Sequence, residues 1–176
     1  MEKNSSYCEY VQNLKKENLH KIYHDTQYGF TISNDNELFG RLILEINQAG
    51  LSWTTVLKKQ ENIKNAFSNF NIEKIANYDD KEILRLLNDE GIIRNKLKIN
   101  AIIYNAQKII ILQKNYGSFI KWLSNFSSYE LSEWIILFKE NFKFTGGEIT
   151  KEFLMSTGII KGAHIPSCPI FIKQKK

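Results

Sequence analysis

The sequence contains little proline, and this scarcity leaves room for long helices. Both prolines, Pro166 and Pro169, lie near the C-terminus of the 176 residues. Because proline removes a backbone donor and clashes with the preceding turn, its absence between Asp35 and Gly158 permits uninterrupted helices there. The apolar residues of that stretch recur at spacings of three and four, which is typical of amphipathic helices packed on a core. The sequence therefore predicts an all-α protein.

Polar capping residues and glycines divide this stretch into individual helices. Asp35 is predicted to cap a helix that ends before Gly50, and Ser52 to open the next. The longest helix is expected from about residue 94 to residue 116. Further helices are predicted to begin at Asn71 and at Asp79 or Asp80, and to cover about 119–125, 128–140 and 149–157. With no linker or internal repeat, a compact helical bundle forming one domain, residues 1–176, is expected.

Long apolar runs are absent, and this excludes a membrane span, which needs roughly 18 such residues. The N-terminus, Met1-Glu2-Lys3-Asn4, lacks the apolar segment of a secretory signal. A soluble, cytoplasmic protein without a membrane partner is therefore expected. The net charge of +5 favours a polyanionic partner such as nucleic acid, although solvated surface lysines explain such a charge equally well.

Only two cysteines are present, Cys8 and Cys168. A disulfide between them is disfavoured in a reducing compartment, which leaves two interpretations. His164 and Cys168 are spaced like a chelating pair, and Cys8 with His24 would complete a four-ligand site, with His20 as a rival ligand. Such a closed site would be structural and would join the N-terminal segment to the C-terminal one. Alternatively, the cysteines are small buried apolar residues and the histidines lie at the surface.

A carboxylate and an indole flank a glycine bend. Glu45 lies in an apolar helical segment, and Trp53 begins the next helix just beyond Gly50. A carboxylate beside an aromatic plane suits a flat cationic ligand with amino groups, since the ring face favours positive charge and the carboxylate accepts N–H donors. The alternative is a solvent-facing glutamate on an amphipathic helix.

Two further segments carry residues of interest. Tyr23 and Tyr28 flank His24, so that a metal there would also hold the Tyr23 ring, although ordinary aromatic packing explains both tyrosines. The turn 91–98 carries Arg94, Lys96 and Lys98 at the predicted start of the longest helix. Backbone N–H groups and cations in such a turn can bind a DNA phosphate, and an ordinary tight turn is the alternative.

Taken together, five ordered segments resemble the DNA-3-methyladenine glycosylase I family, a compact all-helical relative of the helix-hairpin-helix glycosylases. The resemblance runs from about Cys8 to Cys168. Its segments are 23–25 with Gly29, 44–53, 91–99, 142–146, and the closing pair His164 and Cys168.

The resemblance implies a role for each matching residue. It implies one structural zinc ion held by Cys8, His24, His164 and Cys168. It also implies that Glu45 is the catalytic-site carboxylate that hydrogen-bonds the excised base and that Trp53 stacks on that base. The implied pocket is lined by Tyr23, and by Tyr10 and Tyr28 at positions where the family usually has tryptophan.

Some positions depart from the family pattern. Ile46-Asn47 replaces a more usual Gly-Gln, and Gln60 stands where arginine is common. The spacing from Cys8 to His24 is a few residues longer, and the region between the sixth and seventh helices is shorter. These departures, together with Tyr28, bear on substrate range and affinity more than on reaction type.

The activity implied by the resemblance is hydrolysis of the N-glycosidic bond of 3-methyladenine in double-stranded DNA by a monomeric, monofunctional enzyme. The damaged nucleotide would be flipped out of the duplex, because its bond is unreachable inside the stack. Its base is cationic and its bond already labile, so that little chemistry remains to be supplied. Two alternatives stay open at this point: a zinc-stabilised nucleic-acid-binding module without activity, and a glycosylase for another alkylated base such as 3-methylguanine.

Overall fold

The computed structural model describes residues 6–174, and all regular structure in that range is helical, which confirms the all-α prediction. Its assignment to the helix-hairpin-helix type stays a prediction. None of the described helices combines the length and the apolar character needed to cross a membrane. The helices are α1 (Tyr7–Gln12), α2 (Leu19–Thr26), α3 (Asp35–Gln48), α4 (Trp53–Ala66), α5 (Ile72–Ala76), α6 (Asp80–Asn88), α7 (Lys96–Tyr116), α8 (Phe119–Ser124), α9 (Leu131–Asn141), α10 (Gly147–Ser156) and α11 (Pro169–Gln174), with a 3-10 turn at Ser68–Phe70.

Two compact units make up the described chain. The first combines the residues up to Thr31 with those from Leu154 onward, and the second comprises Ile32–Phe153. Thus α1, α2, α11 and the end of α10 belong to the first unit, and α3 to α9 belong to the second. The expectation of a single domain spanning 1–176 stays a prediction.

Local capping follows the sequence at most helix starts. The side chains of Ser52, Asn71 and Asp79 each accept a backbone N–H of the first turn of α4, α5 and α6. Helix α7 begins two residues later than predicted, behind the capping side chain of Asn95, and ends where Gly117 adopts a φ of 86°. These positions were readable from sequence because a cap and its helix are neighbours along the chain.

The start of α3 differs from the prediction that Asp35 caps it. Asn34 provides the capping oxygen instead. The carboxylate of Asp35 accepts hydrogen bonds from the Gln113 side chain at 2.7 Å and from the backbone N–H groups of Phe119 at 2.8 Å and Ile120 at 3.1 Å. Asp35 thereby joins the start of α3 to α7 and to the first turn of α8.

Helix α3 is the central helix of the second unit. Every residue from Leu38 to Asn47 is buried, and α4, α5, α7 and α8 all contact this helix. Gly40 allows the ring of Phe70 to lie directly against the α3 backbone, because a Cβ at residue 40 would overlap that ring. The ring is delivered by the 3-10 turn, whose three residues all have positive φ.

Loss of the Asp35 carboxylate tests this account of the second unit. We expect Asp35→Ala to lower the free energy of unfolding by about 1–3 kcal/mol, because two backbone N–H groups of α8 and one side-chain amide lose their acceptor. Glu37→Ala is the matched control, since Glu37 is an exposed acid in the same first turn. Denaturant unfolding of both variants measures the difference. Equal losses would show that only the charge at the start of α3 matters.

Candidate functional site

Four potential metal ligands converge in the first unit. Cys8, His24, His164 and Cys168 are all buried, and their ligand atoms lie within 4.8 Å of one another. His24 Nε2 is 3.3 Å from Cys8 Sγ and 3.2 Å from His164 Nδ1. Cys8 Sγ is 3.6 Å from His164 Nδ1, and Cys168 Sγ is 3.7 Å from each ring nitrogen. The structure thus brings together the four residues that the sequence proposed as ligands.

These distances fit a tetrahedral metal ion. With metal–sulfur bonds of about 2.3 Å and metal–nitrogen bonds of about 2.0–2.1 Å, tetrahedral angles place sulfur and nitrogen ligands about 3.6 Å apart and two nitrogen ligands about 3.3 Å apart. The sulfur–nitrogen distances of 3.3–3.7 Å and the nitrogen–nitrogen distance of 3.2 Å match both values. The donor set is therefore already arranged around one point.

Hydrogen bonds on the outer side of each imidazole fix which nitrogen faces the centre. His164 Nε2 lies 2.8 Å from the Tyr28 carbonyl, and His24 Nδ1 lies 2.7 Å from the Asp25 carboxylate. Both oxygens only accept, so the outer nitrogens carry the protons and the inner ones present lone pairs. A metal ion bound by the two thiolates would place positive charge between these lone pairs, which face each other across 3.2 Å.

Burial favours the uncharged forms of Cys8 and His164 when no metal is bound. It raises the pKa of the Cys8 thiol, to which the neighbouring Cys168 adds, and it lowers the pKa of His164. Neutral imidazole is the form that binds a metal, whereas each thiol must release its proton on binding. Burial also works to raise the pKa of Asp25, but hydrogen bonds from His24 and Lys21 outweigh it and hold that pKa below its ordinary value.

The local chain explains how the ligands reach one another. Cys8 lies in α1 and His24 in α2, while Cys168 directly precedes α11. Gly29, with a φ of 76°, allows the chain to pass His164 closely, because a Cβ there would lie 3.0 Å from the imidazole and closer still to Ala163. Gly29 is thus a structural requirement of this centre. Its place in a motif segment was visible in the sequence, but its reason was not.

His20 is not part of the ligand cluster. It is buried, and its Nδ1 lies 3.0 Å from the hydroxyl of Tyr7. Burial lowers the pKa of His20, which favours the neutral ring. The rival assignment of His20 as a ligand is therefore wrong, because this ring is held by a tyrosine.

Tyrosines form an aromatic cluster beside the ligands. Tyr23 and Tyr28 are buried with ring centroids 5.8 Å apart, whereas Tyr10 is 41% exposed. The ring of Tyr7 contacts both groups: it stacks on Tyr10 and makes edge contacts with Tyr28 and His24. The sequence reading missed Tyr7, although its position three residues before Tyr10 in α1 places both on one helix face. The role of Tyr10, Tyr23 and Tyr28 in binding a base stays a prediction.

Glu45 and Trp53 lie on either side of a tight turn in the second unit. Glu45 is only 2% exposed, so the alternative of a solvent-facing glutamate is wrong. Ala49 and Gly50 form the turn between α3 and α4, with φ values of −50° and 78°, and the Leu51 N–H donates to the Gln48 carbonyl at 2.7 Å. This is a type II turn, which favours glycine at its third position. Trp53 begins α4 and is partly buried.

The three predicted phosphate-binding cations have different surroundings. Arg94 and Lys96 are exposed beside the start of α7. Lys98 differs from the expectation, because its side chain is 4% exposed and its ammonium donates to the carbonyl oxygens of Asn47 at 2.8 Å and Ala49 at 2.6 Å. The final carbonyls of a helix lack partners within it and attract a cation, which explains the position of Lys98.

The chain is similar to known proteins over most of its length. The chain is 33% identical to DNA-3-methyladenine glycosylase 1 of Escherichia coli K12, covering 88% of this chain and 92% of the relative. It is 31% identical to DNA-3-methyladenine glycosylase of Haemophilus influenzae, covering 84% and 89%. It superposes with a TM-score of 0.81 and 31% identity on a crystal structure of a variant 3-methyladenine DNA glycosylase I in complex with 3-methyladenine, covering 89% and 94%. Residues 13–136 match the methyladenine glycosylase family, and the chain belongs to that family.

Proposed function

We propose that the protein excises 3-methyladenine from alkylated DNA, with Glu45 and Trp53 holding the flipped base. Membership of the methyladenine glycosylase family makes the reaction the hydrolysis of an N-glycosyl bond in base excision repair. The observation that carries the residue assignment is the burial of the Glu45 carboxylate one tight turn before the partly buried ring of Trp53.

The chemistry of the lesion explains why these two groups suffice. A 3-methylated adenine nucleotide is cationic, so its base stacks favourably on the electron-rich face of the Trp53 ring. The exocyclic amino group donates to the Glu45 carboxylate, an interaction strengthened by the low local polarity around a buried acid. Normal adenine is neutral and gains less from both contacts. The site therefore discriminates by charge as well as by shape.

The leaving base departs readily, and water attacks the sugar. The role of the protein is to flip the nucleotide and to hold it while the sugar develops positive charge, which nearby anionic groups stabilise. We propose a monofunctional enzyme that leaves the abasic site uncut. This fits the environment of Lys98, whose ammonium is engaged by two carbonyls and so is not presented as a nucleophile toward the sugar.

Zinc is the metal that we propose for the ligand cluster. Two thiolates and two imidazoles in tetrahedral arrangement suit Zn²⁺. Four protein ligands leave no position for water, so the ion would be structural and would hold the N-terminal and C-terminal segments of the first unit together. The ligand set is complete within one chain, in keeping with a monomer.

Double-stranded DNA is the proposed partner, held through its backbone. The exposed Arg94 and Lys96 lie at the N-terminal end of α7, where partial positive charge adds to their own. The net charge of +5 acts in the same direction. The cytoplasmic location stays a prediction.

The first experiment compares base release by the wild type and by Glu45→Gln. We expect the wild type to release 3-methyladenine from methylated DNA without strand cleavage, and Glu45→Gln to be slower by roughly 100-fold, because the amide loses the charged acceptor. Glu37→Gln is the control, as an exposed glutamate on the same helix. Chromatography of the released bases and gel analysis of the DNA give both readouts.

Each alternative has its own outcome in this experiment. Binding of DNA without release of any base would favour a non-enzymatic module. Release of mainly 3-methylguanine would change the substrate, and strand cleavage by nuclease-free protein would contradict monofunctional action.

Removing the outer hydrogen bond of His24 tests the metal centre. We expect Asp25→Asn to weaken zinc affinity by about 10- to 100-fold, because the carboxylate that orients the imidazole and increases its basicity is lost. Lys21→Gln is the control, since it removes the 3.2 Å ion pair to Asp25 but leaves the bond to His24. Competition with a chromogenic chelator measures affinity. A wild type that holds no zinc after metal reconstitution would refute the proposal.

Salt dependence tests the phosphate contacts. For Arg94→Gln and for Lys96→Gln we expect the slope of log Kd for duplex DNA against log salt to fall by about one, as one counterion fewer is released. Lys114→Gln, an exposed lysine in the last turn of α7, should leave the slope unchanged. Fluorescence anisotropy over a salt series gives the slopes. Unchanged slopes in both test variants would exclude these two contacts.

A further inference from the structure

Lys98 occupies an unusual position for a lysine. Its backbone N–H is held by the capping side chain of Asn95 at 3.1 Å, in the first turn of α7. Its side chain is 4% exposed and extends from the first turn of α7 to the C-terminal end of α3. Burying an ammonium is costly unless it is fully bonded, so a lysine in such a position needs a specific reason.

The two acceptors of Lys98 show what it holds. The Asn47 carbonyl belongs to the last turn of α3, and the Ala49 carbonyl belongs to the tight turn that leads to α4. One ammonium therefore joins the end of a helix to the turn that follows it. Both bonds are charge-assisted because the donor is an ammonium, and the partial negative charge at the C-terminal end of α3 favours it further. Burial lowers the pKa of Lys98.

Glu45 and Trp53 lie on either side of the carbonyls that Lys98 binds. Glu45 is two residues before Asn47, and Trp53 is four residues after Ala49. The spacing of the carboxylate and the indole is set by the backbone of residues 47–50. Gly50 permits the bend there, and because it has no side chain it makes no packing contact that would hold the bend in place. Lys98 supplies a restraint from outside the turn.

We propose that Lys98 is a positioning residue of the glycosylase: by binding the Asn47 and Ala49 carbonyls it fixes the α3–α4 turn, and thereby the separation of Glu45 and Trp53, against the first turn of α7. The proposal rests on the proposed roles of Glu45 and Trp53. It also connects two parts of the site, because the turn carrying Arg94 and Lys96 leads into the same turn of α7. A phosphate bound at that turn and a base bound at Glu45 would thus be held at a fixed distance from each other.

The test variant is Lys98→Met, which keeps length and volume but removes the ammonium. Lys114→Met is the matched control, since this exposed lysine also lies in α7. We expect Lys98→Met to reduce the single-turnover rate of base release, and its affinity for free 3-methyladenine, on the order of 10- to 100-fold, because the two base-binding groups are no longer held in register. The Kd for duplex DNA should change less than about twofold, since no phosphate contact is lost.

A local spectroscopic signal separates positioning from general stability. With 5-fluorotryptophan incorporated, the fluorine resonance of Trp53 is assigned by its loss in Trp53→Phe. We expect Lys98→Met to shift or broaden this resonance and to leave those of the buried Trp122 and Trp134 in place. Lys98→Arg, which keeps the charge and has N–H donors for both carbonyls, should retain more of the base affinity and rate than Lys98→Met.

The outcomes distinguish this proposal from its alternatives. Weaker binding of DNA with unchanged base affinity would make Lys98 a phosphate contact and overturn the proposal. Shifts of all three tryptophan resonances together with a lower thermal midpoint would show a general loss of stability and would also overturn it. If Lys98→Met does not fold, the same comparison is made with Lys98→Gln, which removes the charge but keeps an N–H donor; an unchanged Trp53 resonance and unchanged base affinity in that variant would overturn the proposal. If the wild type releases no base, the proposed function fails, and the Trp53 resonance still decides whether Lys98 holds the turn.

Discussion

The second unit depends on how the two ends of α3 are satisfied. A buried helix leaves unpaired N–H groups at its start and unpaired carbonyls at its end. Two carbonyls at the end of α3 are bound by the ammonium of one residue far along the chain. At the start, Asn34 caps the N–H groups of α3 and the neighbouring Asp35 carboxylate accepts hydrogen bonds from α7 and α8; at the end, Lys98 donates to the carbonyls. The helix that carries Glu45 is therefore fixed in direction and in register. Such a fixed support suits the role proposed for Glu45, because a group that binds a small ligand must be held in place.

The first unit solves a comparable problem with a ligand cluster. Its chain segments lie at opposite ends of the sequence, and two of its helices, α1 and α11, have only six residues each. Segments this short gain little from helix formation alone. A metal ion bound by the four converging ligands, two of which are fixed by outer hydrogen bonds, would cross-link these segments and add to the small apolar cluster around Cys8 and Cys168.

Much of the fold and part of the site could be predicted from sequence. The helix starts at Ser52, Asn71 and Asp79 were readable because the capping residue and the N–H groups it binds are neighbours. The four ligands were proposed from residue type, and the resemblance to a family removed the ambiguity that spacing left. The predictions for three residues were wrong because the position of each side chain depends on a partner distant in sequence. Asp35 bonds to Phe119, His20 to Tyr7 and Lys98 to Asn47.

The sequence by itself determined the helical class, the family and the chemical types available to the site, because periodicity, caps and motif segments are local properties of the chain. Only the tertiary structure decided which histidines face the ligand cluster, that Glu45 is buried, and that Lys98 turns inward to α3 while Arg94 and Lys96 stay at the surface. A cation in a turn has the same sequence signature whether it meets solvent, a phosphate or a helix end. The unpaired carbonyls of a neighbouring helix make that choice, and they exist only once the fold has formed.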